Sequence, residues 1–122
     1  MAEMFVLGGW GMWPTLLFGL VSIAVAIRYA VKPERRIVPL MITSSIIVLI
    51  SGLLGFSTGV TRSLLALDRV GDDRRWIGLI GIGESMMNVN LAMVFLVLAA
   101  IIATIGALRI ATSTERSRAA AA

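Results

Sequence analysis

"WIGLIGIGESMMNVNLAMVFLVLAAIIATIGALRIA", Trp76 to Ala111, decides the fold of this chain. It carries one acid, Glu84, and no base before Arg109. A helix rises 1.5 Å per residue, so about 20 apolar residues cross the roughly 30 Å hydrocarbon layer of a bilayer. The segment is longer than one crossing requires and should tilt or project beyond the lipid. An ionised side chain deep in such a span costs at least about 2.5 kcal/mol, so Glu84 must face protein or water and is a candidate functional group.

Two further apolar blocks precede it. Trp10 to Val31 is uncharged until Arg28, and Ile37 to Leu67 is uncharged until Arg62. "KPERR" (Lys32 to Arg36) and "DRVGDDRR" (Asp68 to Arg75) have the proline, glycine and charge of short turns between helices. The expected fold is therefore an all-α membrane protein, one membrane domain over residues 1–122. It has three transmembrane helices at about 10–31, 37–67 and 76–111, the second and third long, and a polar tail at 112–122 that is expected to fray. Composition agrees: the chain is 58% hydrophobic and 15% charged, more apolar side chain than one small soluble core can hide. The residues before Trp10 contain Glu3 and no Lys or Arg. They lack the basic start of a cleavable signal peptide, and the first span is expected to be retained.

The absence of cysteine and histidine removes disulfides, thiolate nucleophiles, zinc sites and imidazole chemistry. No enzyme activity, cofactor or metal is expected. The net charge of +4 does not point to nucleic acid, because the basic residues sit at the ends of the apolar runs. With the N-terminus outside, Arg28, Lys32, Arg35, Arg36, Arg109, Arg116 and Arg118 fall inside, and only Arg62, Arg69, Arg74 and Arg75 fall outside. That bias favours N-out/C-in and places Trp10, Trp13 and Trp76 as headgroup anchors on the outer side. "GLIGIGES" (Gly78 to Ser85) has the glycines of a phosphate loop without the Lys-Ser/Thr or the preceding strand, so its glycines are read as permitting close helix crossing.

Small and polar residues mark faces. On the second helix Ser44, Ser51 and Thr58 recur every seven residues, and Ser51, Gly55, Gly59 and Ser63 every four, a packing stripe that contains a G-x-x-x-G. On the third, Ala99, Ala103, Ala107 and Ala111 form a similar stripe. Glu84 lies eight residues past Trp76, about 12 Å along the helix, level with Ser57 and Thr58 of the second helix. Asn88 shares its face, and Asn90 points elsewhere, toward a neighbouring subunit or helix. Two readings stand open. Arg62 can bend down to Glu84 as a structural ion pair. Alternatively Glu84 exchanges protons between the two aqueous sides, with Thr58, Ser57, Asn88 and Arg62 around its path.

Three segments carry a resemblance. "GGWGMWPTLLFGLVSIAVAIR" (Gly8 to Arg28), "LLGFSTGVTRSLLAL" (Leu53 to Leu67) and "GIGESMMNVNLAMVFLVLAA" (Gly81 to Ala100) resemble, in order, the spans of the TolQ/ExbB branch of the MotA/TolQ/ExbB proton-channel family. Glu84 falls where that family carries its proton-bearing glutamate. The resemblance implies a minimal form, since only "KPERR" stands where members have a large cytoplasmic insertion. It also implies a homo-oligomer, a pentamer, in the cell inner (cytoplasmic) membrane, surrounding a single-span partner of the ExbD/TolR type that supplies an aspartate. Such a complex draws on the proton gradient, about 2.3 kcal/mol per charge per 100 mV. Phe56 and Val89 occupy the positions of the family's two pore threonines, and Leu98 that of a proline. The alternative expectation is a non-conducting membrane scaffold that organises partner proteins or an envelope complex.

Overall fold

The computed structural model describes residues 10–122. Glu3 and the Gly8–Gly9 pair lie outside the described residues. Three helices account for nearly all of the rest: α1 (Met12–Val31), α2 (Ile37–Leu67) and α3 (Trp76–Ala121), with a single 3-10 turn at Asp72–Arg74. Each is long and apolar enough to cross a membrane, and no strand occurs among the described residues. Lipid offers no partner to backbone N–H and C=O groups, so an uninterrupted apolar run is held to a conformation that satisfies them internally. Pro14 and Pro39 sit in the first turns of α1 and α2, where an N–H has no intrahelical acceptor to lose. After Val31 the Lys32 N–H still donates to Arg28 O (2.9 Å), Pro33 stops the helix, and the Ile37 N–H restarts it on Glu34 O (3.0 Å). The other turn holds an ion pair, Arg75 Nη2 to Asp72 Oδ1 at 2.6 Å, exposed on both sides and so worth little.

The buried residues follow a period of 3.5. In α1 they are Met12, Thr15, Gly19, Ser22, Ala26 and Tyr29, in steps of three and four. In α3 the run Ser85, Asn88, Ala92, Phe95, Ala99 alternates in the same way. This is the pattern of knobs-into-holes packing between helices crossing at about 20°. Val48, Ala92 and Phe95 form the core, with Leu16, Ile23, Leu91 and Leu96 against it. Less than a third of each membrane-length window is buried within the chain, so the outward faces require lipid or other protein. The alanine stripe expected on α3 does not pack as one: Ala99 is buried, but Ala107 and Ala111 are exposed. A strict four-residue spacing drifts about 40° per step around a helix and leaves the buried face, which alternates three and four.

Glycines set the register. Going up the antiparallel α2–α3 pair, Gly52 meets Ala92, Gly55 meets Asn88, Gly59 meets Ser85, Ser63 meets Gly81 and Leu67 meets Gly78. A Cβ at Gly52 would stand 2.6 Å from Ala92 Cβ, and one at Gly55 2.6 Å from Asn88 Nδ2, so the helices approach as closely as hydrogen in place of a side chain allows. The stripe Ser51, Gly55, Gly59, Ser63 therefore packs as its spacing predicts. α1 runs alongside, with Gly11 against Gly55 and Asn88, Gly19 against the Phe95 ring, and Tyr29 against Gly106. Arg109 Nη1 donates to Ala30 O (2.9 Å), tying α3 to the end of α1. The tail does not fray: α3 continues to Ala121. Alanine, glutamate and arginine are good helix formers, and extending a helix already nucleated by the span costs far less than starting one.

Candidate functional site

The three helices do not start at one level. Gly11, at the head of α1, contacts Asn88, which lies twelve residues into α3. The α2–α3 hairpin thus rises about 18 Å above the start of α1. The notch so formed encloses a cavity of about 410 Å³. α1 contributes Trp10 and Gly11 from below, α2 contributes Gly55, Thr58, Gly59, Arg62 and Ser63, and α3 contributes Gly81, Glu84 and Ser85. The room exists because the facing positions are glycines and serines.

Glu84 is half-buried in this wall. Around it the hydroxyls are committed to their own helices: Thr58 Oγ1 donates to Leu54 O (3.0 Å) and Gly55 O (3.1 Å), Ser63 Oγ to Gly59 O (3.0 Å), and Ser85 Oγ to Gly81 O (2.7 Å). Their donors spent, these oxygens can still accept, so they suit a water or a protonated carboxyl. Arg62 lines the same cavity, yet the one ion pair within 4.0 Å among the described residues is Arg75–Asp72. The structural ion pair between Arg62 and Glu84 is not formed here.

The sequence-derived candidates are thus partly gathered. Glu84, Thr58 and Arg62 share the cavity. Asn88 lies immediately beneath it, 1% exposed, packed against Gly11 and Gly55. Ser57 is exposed and outside the wall, because the next residue along a helix points about 100° away from Thr58. The cavity also takes in Ser85, Gly81, Gly11 and Trp10, which the sequence motifs do not single out as site residues; the period of 3.5 through Asn88 and Ala92 is the signal that leads to Ser85.

Compared with protein-family models, curated proteins and solved structures, the chain matches none. The likeness to the TolQ/ExbB spans rests on the residues quoted above.

Depth along the bundle follows from the helix offset. Glu84 lies about 12 Å below the hairpin end of α3 but only one turn above the start of α1. The stretch free of charge runs from Ile37 to Thr61 on α2 and from Ser85 to Leu108 on α3, about 35 Å, with Arg62 and Glu84 together at its rim. Trp10 and Trp13, which their place at the span start puts at one level with Trp76, in fact lie lower, because α1 begins twelve residues below the start of α3. Beneath the notch the interior is filled by Val48, Ala92 and Phe95, interspersed with the buried hydroxyls of Thr15, Ser51, Ser22 and Ser44. Ser22 Oγ makes no hydrogen bond.

Proposed function

We propose that this chain is a subunit of a proton-motive-force-driven complex of the TolQ/ExbB kind, in which Glu84 takes up and releases protons to energise a single-span membrane partner. The observation that carries the reading is the placement of Glu84. It is the one acid of the apolar stretches, held half-buried in a cavity with Thr58, Ser85 and Arg62 and in no ion pair among the described residues. Glu84 carries the proton, the oxygens of Thr58, Ser63 and Ser85 hold water beside it, and the Arg62 charge biases that water toward anionic Glu84. Asn88 forms the floor, and Ser57, outside the wall, has a secondary place. Assembly into a homo-oligomer, a pentamer in the family pattern, closes the open side of the notch. The basic residues orient the chain N-out/C-in in the cytoplasmic membrane.

A second reading has its own support. Phe56 and Val89 stand at the family's threonine positions, and Val48, Ala92 and Phe95 close the interior under the notch. Both favour a scaffold subunit that holds partner proteins without conducting.

Proton uptake by proteoliposomes containing the purified oligomer with its co-purifying partner, driven by a potassium diffusion potential, separates the two. The expected result is flux in the wild type and at least a tenfold loss in Glu84→Gln with the oligomer intact. No flux in the wild type, or equal flux in the variant, overturns the proton-carrying role and leaves the scaffold.

A further inference from the structure

The two ends of the bundle differ in charge. The end formed by the "KPERR" turn and the last part of α3 carries seven bases against two acids, Glu34 and Glu115, whereas the hairpin end carries four of each. The one ion pair within 4.0 Å among the described residues, Arg75–Asp72, belongs to the hairpin end, so the surplus at the other is not neutralised within the chain. Just inside that basic rim a groove of about 330 Å³ lies between α2 and α3, with Met41, Ser45 and Ile46 on one wall and Leu96, Ala100 and Ala103 on the other. Met41 is four residues past Ile37, about 6 Å, and Ala103 six residues before Arg109, about 9 Å, so the groove lies within the charge-free stretch. Its mouth is basic. Val38 and Arg35 continue the row of Ser45 and Met41 back to the turn in steps of three, and the Val38 N–H donates to Arg35 O (3.3 Å), so the helical path already holds there. Lys32, Arg35 and Arg36 are all exposed.

We infer that this groove binds an anionic phospholipid, with the headgroup phosphate on Arg35 and Arg36 and an acyl chain along Met41, Ala100 and Ala103. Charge and depth together select that occupant. A guanidinium offers parallel N–H donors that match phosphate oxygens, and a charged rim one to two turns outside an apolar groove reproduces the order of headgroup and chain in a phospholipid. A soluble anion or a nucleic acid answers the charge but cannot enter a groove at hydrocarbon depth. A zwitterionic lipid fills the groove and leaves the surplus charge unanswered. A second copy of the chain brings the same seven bases to the same level, so like charges oppose its seating there, and an anion between copies relieves them. None of this depends on Glu84 carrying protons.

Native mass spectrometry of the purified protein, equilibrated in detergent with equal amounts of phosphatidylglycerol and phosphatidylcholine of the same acyl chains, reads the occupant directly. The wild type should retain phosphatidylglycerol over phosphatidylcholine. A base at an anionic surface contributes about fivefold in binding, so Arg35→Gln with Arg36→Gln should lower that retention roughly twentyfold. Arg69→Gln with Arg74→Gln removes the same charge from the hairpin end and should bind like the wild type. Ala100→Phe, at an exposed position that spares the fold, fills the groove with the charge intact and should lower retention of both lipids. Glycerol phosphate, which has the headgroup charge and no chains, should displace neither. Equal retention of the two lipids by the wild type, an equal loss in the hairpin-end variant, full retention in Ala100→Phe, displacement by glycerol phosphate, or oligomers that carry no lipid would each overturn the site. Glu84→Gln should retain lipid as the wild type does, so the lipid site and the proton reading fail separately.

Discussion

Adding one methyl group at the floor of the notch, Gly55→Ala, should destabilise the bundle by about 2 kcal/mol. The new Cβ would stand 2.6 Å from Asn88 Nδ2, 2.7 Å from Asn88 Cγ and 3.2 Å from Asn88 Cβ, where ordinary contact begins near 3.4 Å. Something must move by most of an ångström. Asn88 cannot retreat easily, because it is 1% exposed and its amide is also close to Gly11, where a Cβ would stand 3.1 Å from Nδ2. Overpacking of this kind costs about 1–3 kcal/mol, and the three-helix junction puts it at the upper end. Replacing glycine by alanine inside a helix returns about 1 kcal/mol, which leaves the net figure, roughly thirtyfold in the folded-to-unfolded ratio. The control is Gly71→Ala. That glycine has φ −60° and ψ 163°, and nothing lies within 4 Å of its would-be Cβ, so the change should be neutral or slightly stabilising. Unfolding of the purified protein in mixed micelles, titrated with a denaturing detergent, measures both. A Gly55→Ala chain as stable as the wild type and as Gly71→Ala would show that α2 and α3 are not in the contact described.

Ser22→Ala should stabilise the bundle by about 1 kcal/mol in the same titration, because it removes a fully buried hydroxyl that has no hydrogen-bond partner. Arg109→Ala should cost about 1 kcal/mol through loss of the bond to Ala30 O, a figure discounted for its exposure, and Arg109→Lys should recover only part of it. A C-terminal reporter that fluoresces only in the cytoplasm should be bright if the proposed N-out/C-in orientation holds, and a dark reporter would overturn it.

The spans are legible in the sequence because lipid leaves an apolar run little choice: α2 begins at Ile37 and ends at Leu67, and α3 begins at Trp76, where the charged turns stop. The stripe Ser51, Gly55, Gly59, Ser63 is equally readable, since its spacing matches one helix face and its small size matches close packing. What the sequence does not carry is the offset between helices. Counting along one helix places Glu84 eight residues in. Only the contact of Gly11 with Asn88 shows that α1 begins well below the hairpin, which separates the tryptophans and creates the notch. The same limit explains Ser57: a level shared with Glu84 says nothing of direction, and one residue of rotation removes it from the wall. The alanine stripe leaves the packed face for a related reason, since a spacing of four looks continuous over two turns and departs from a 3.5 period over four.

Glu84 stands between two faces of α3, one residue after the exposed Gly83 and one before the packed Ser85. Each side offers an amide lower down, Asn88 inward and Asn90 outward. A proton leaving Glu84 inward meets Asn88, then a packed interior in which Val48 is 0% exposed and Phe95 8%. The hydroxyls of Thr15, Ser51, Ser22 and Ser44 interrupt that packing but do not open it. Outward, Asn90 lies on a surface that no part of the described chain covers, where the proposed assembly would hold water between copies. In the proposed role conduction therefore belongs to the assembly: a protomer can load Glu84 from the notch, and only neighbouring copies can give the proton somewhere to go. On this argument the channel and scaffold readings differ in whether the space between copies is wet or dry beside Asn90, and the contrast of Asn88→Leu with Asn90→Leu in flux isolates it. If protons pass between copies, the second change abolishes flux in oligomers that remain assembled, while the first lowers stability more than it lowers flux per folded oligomer.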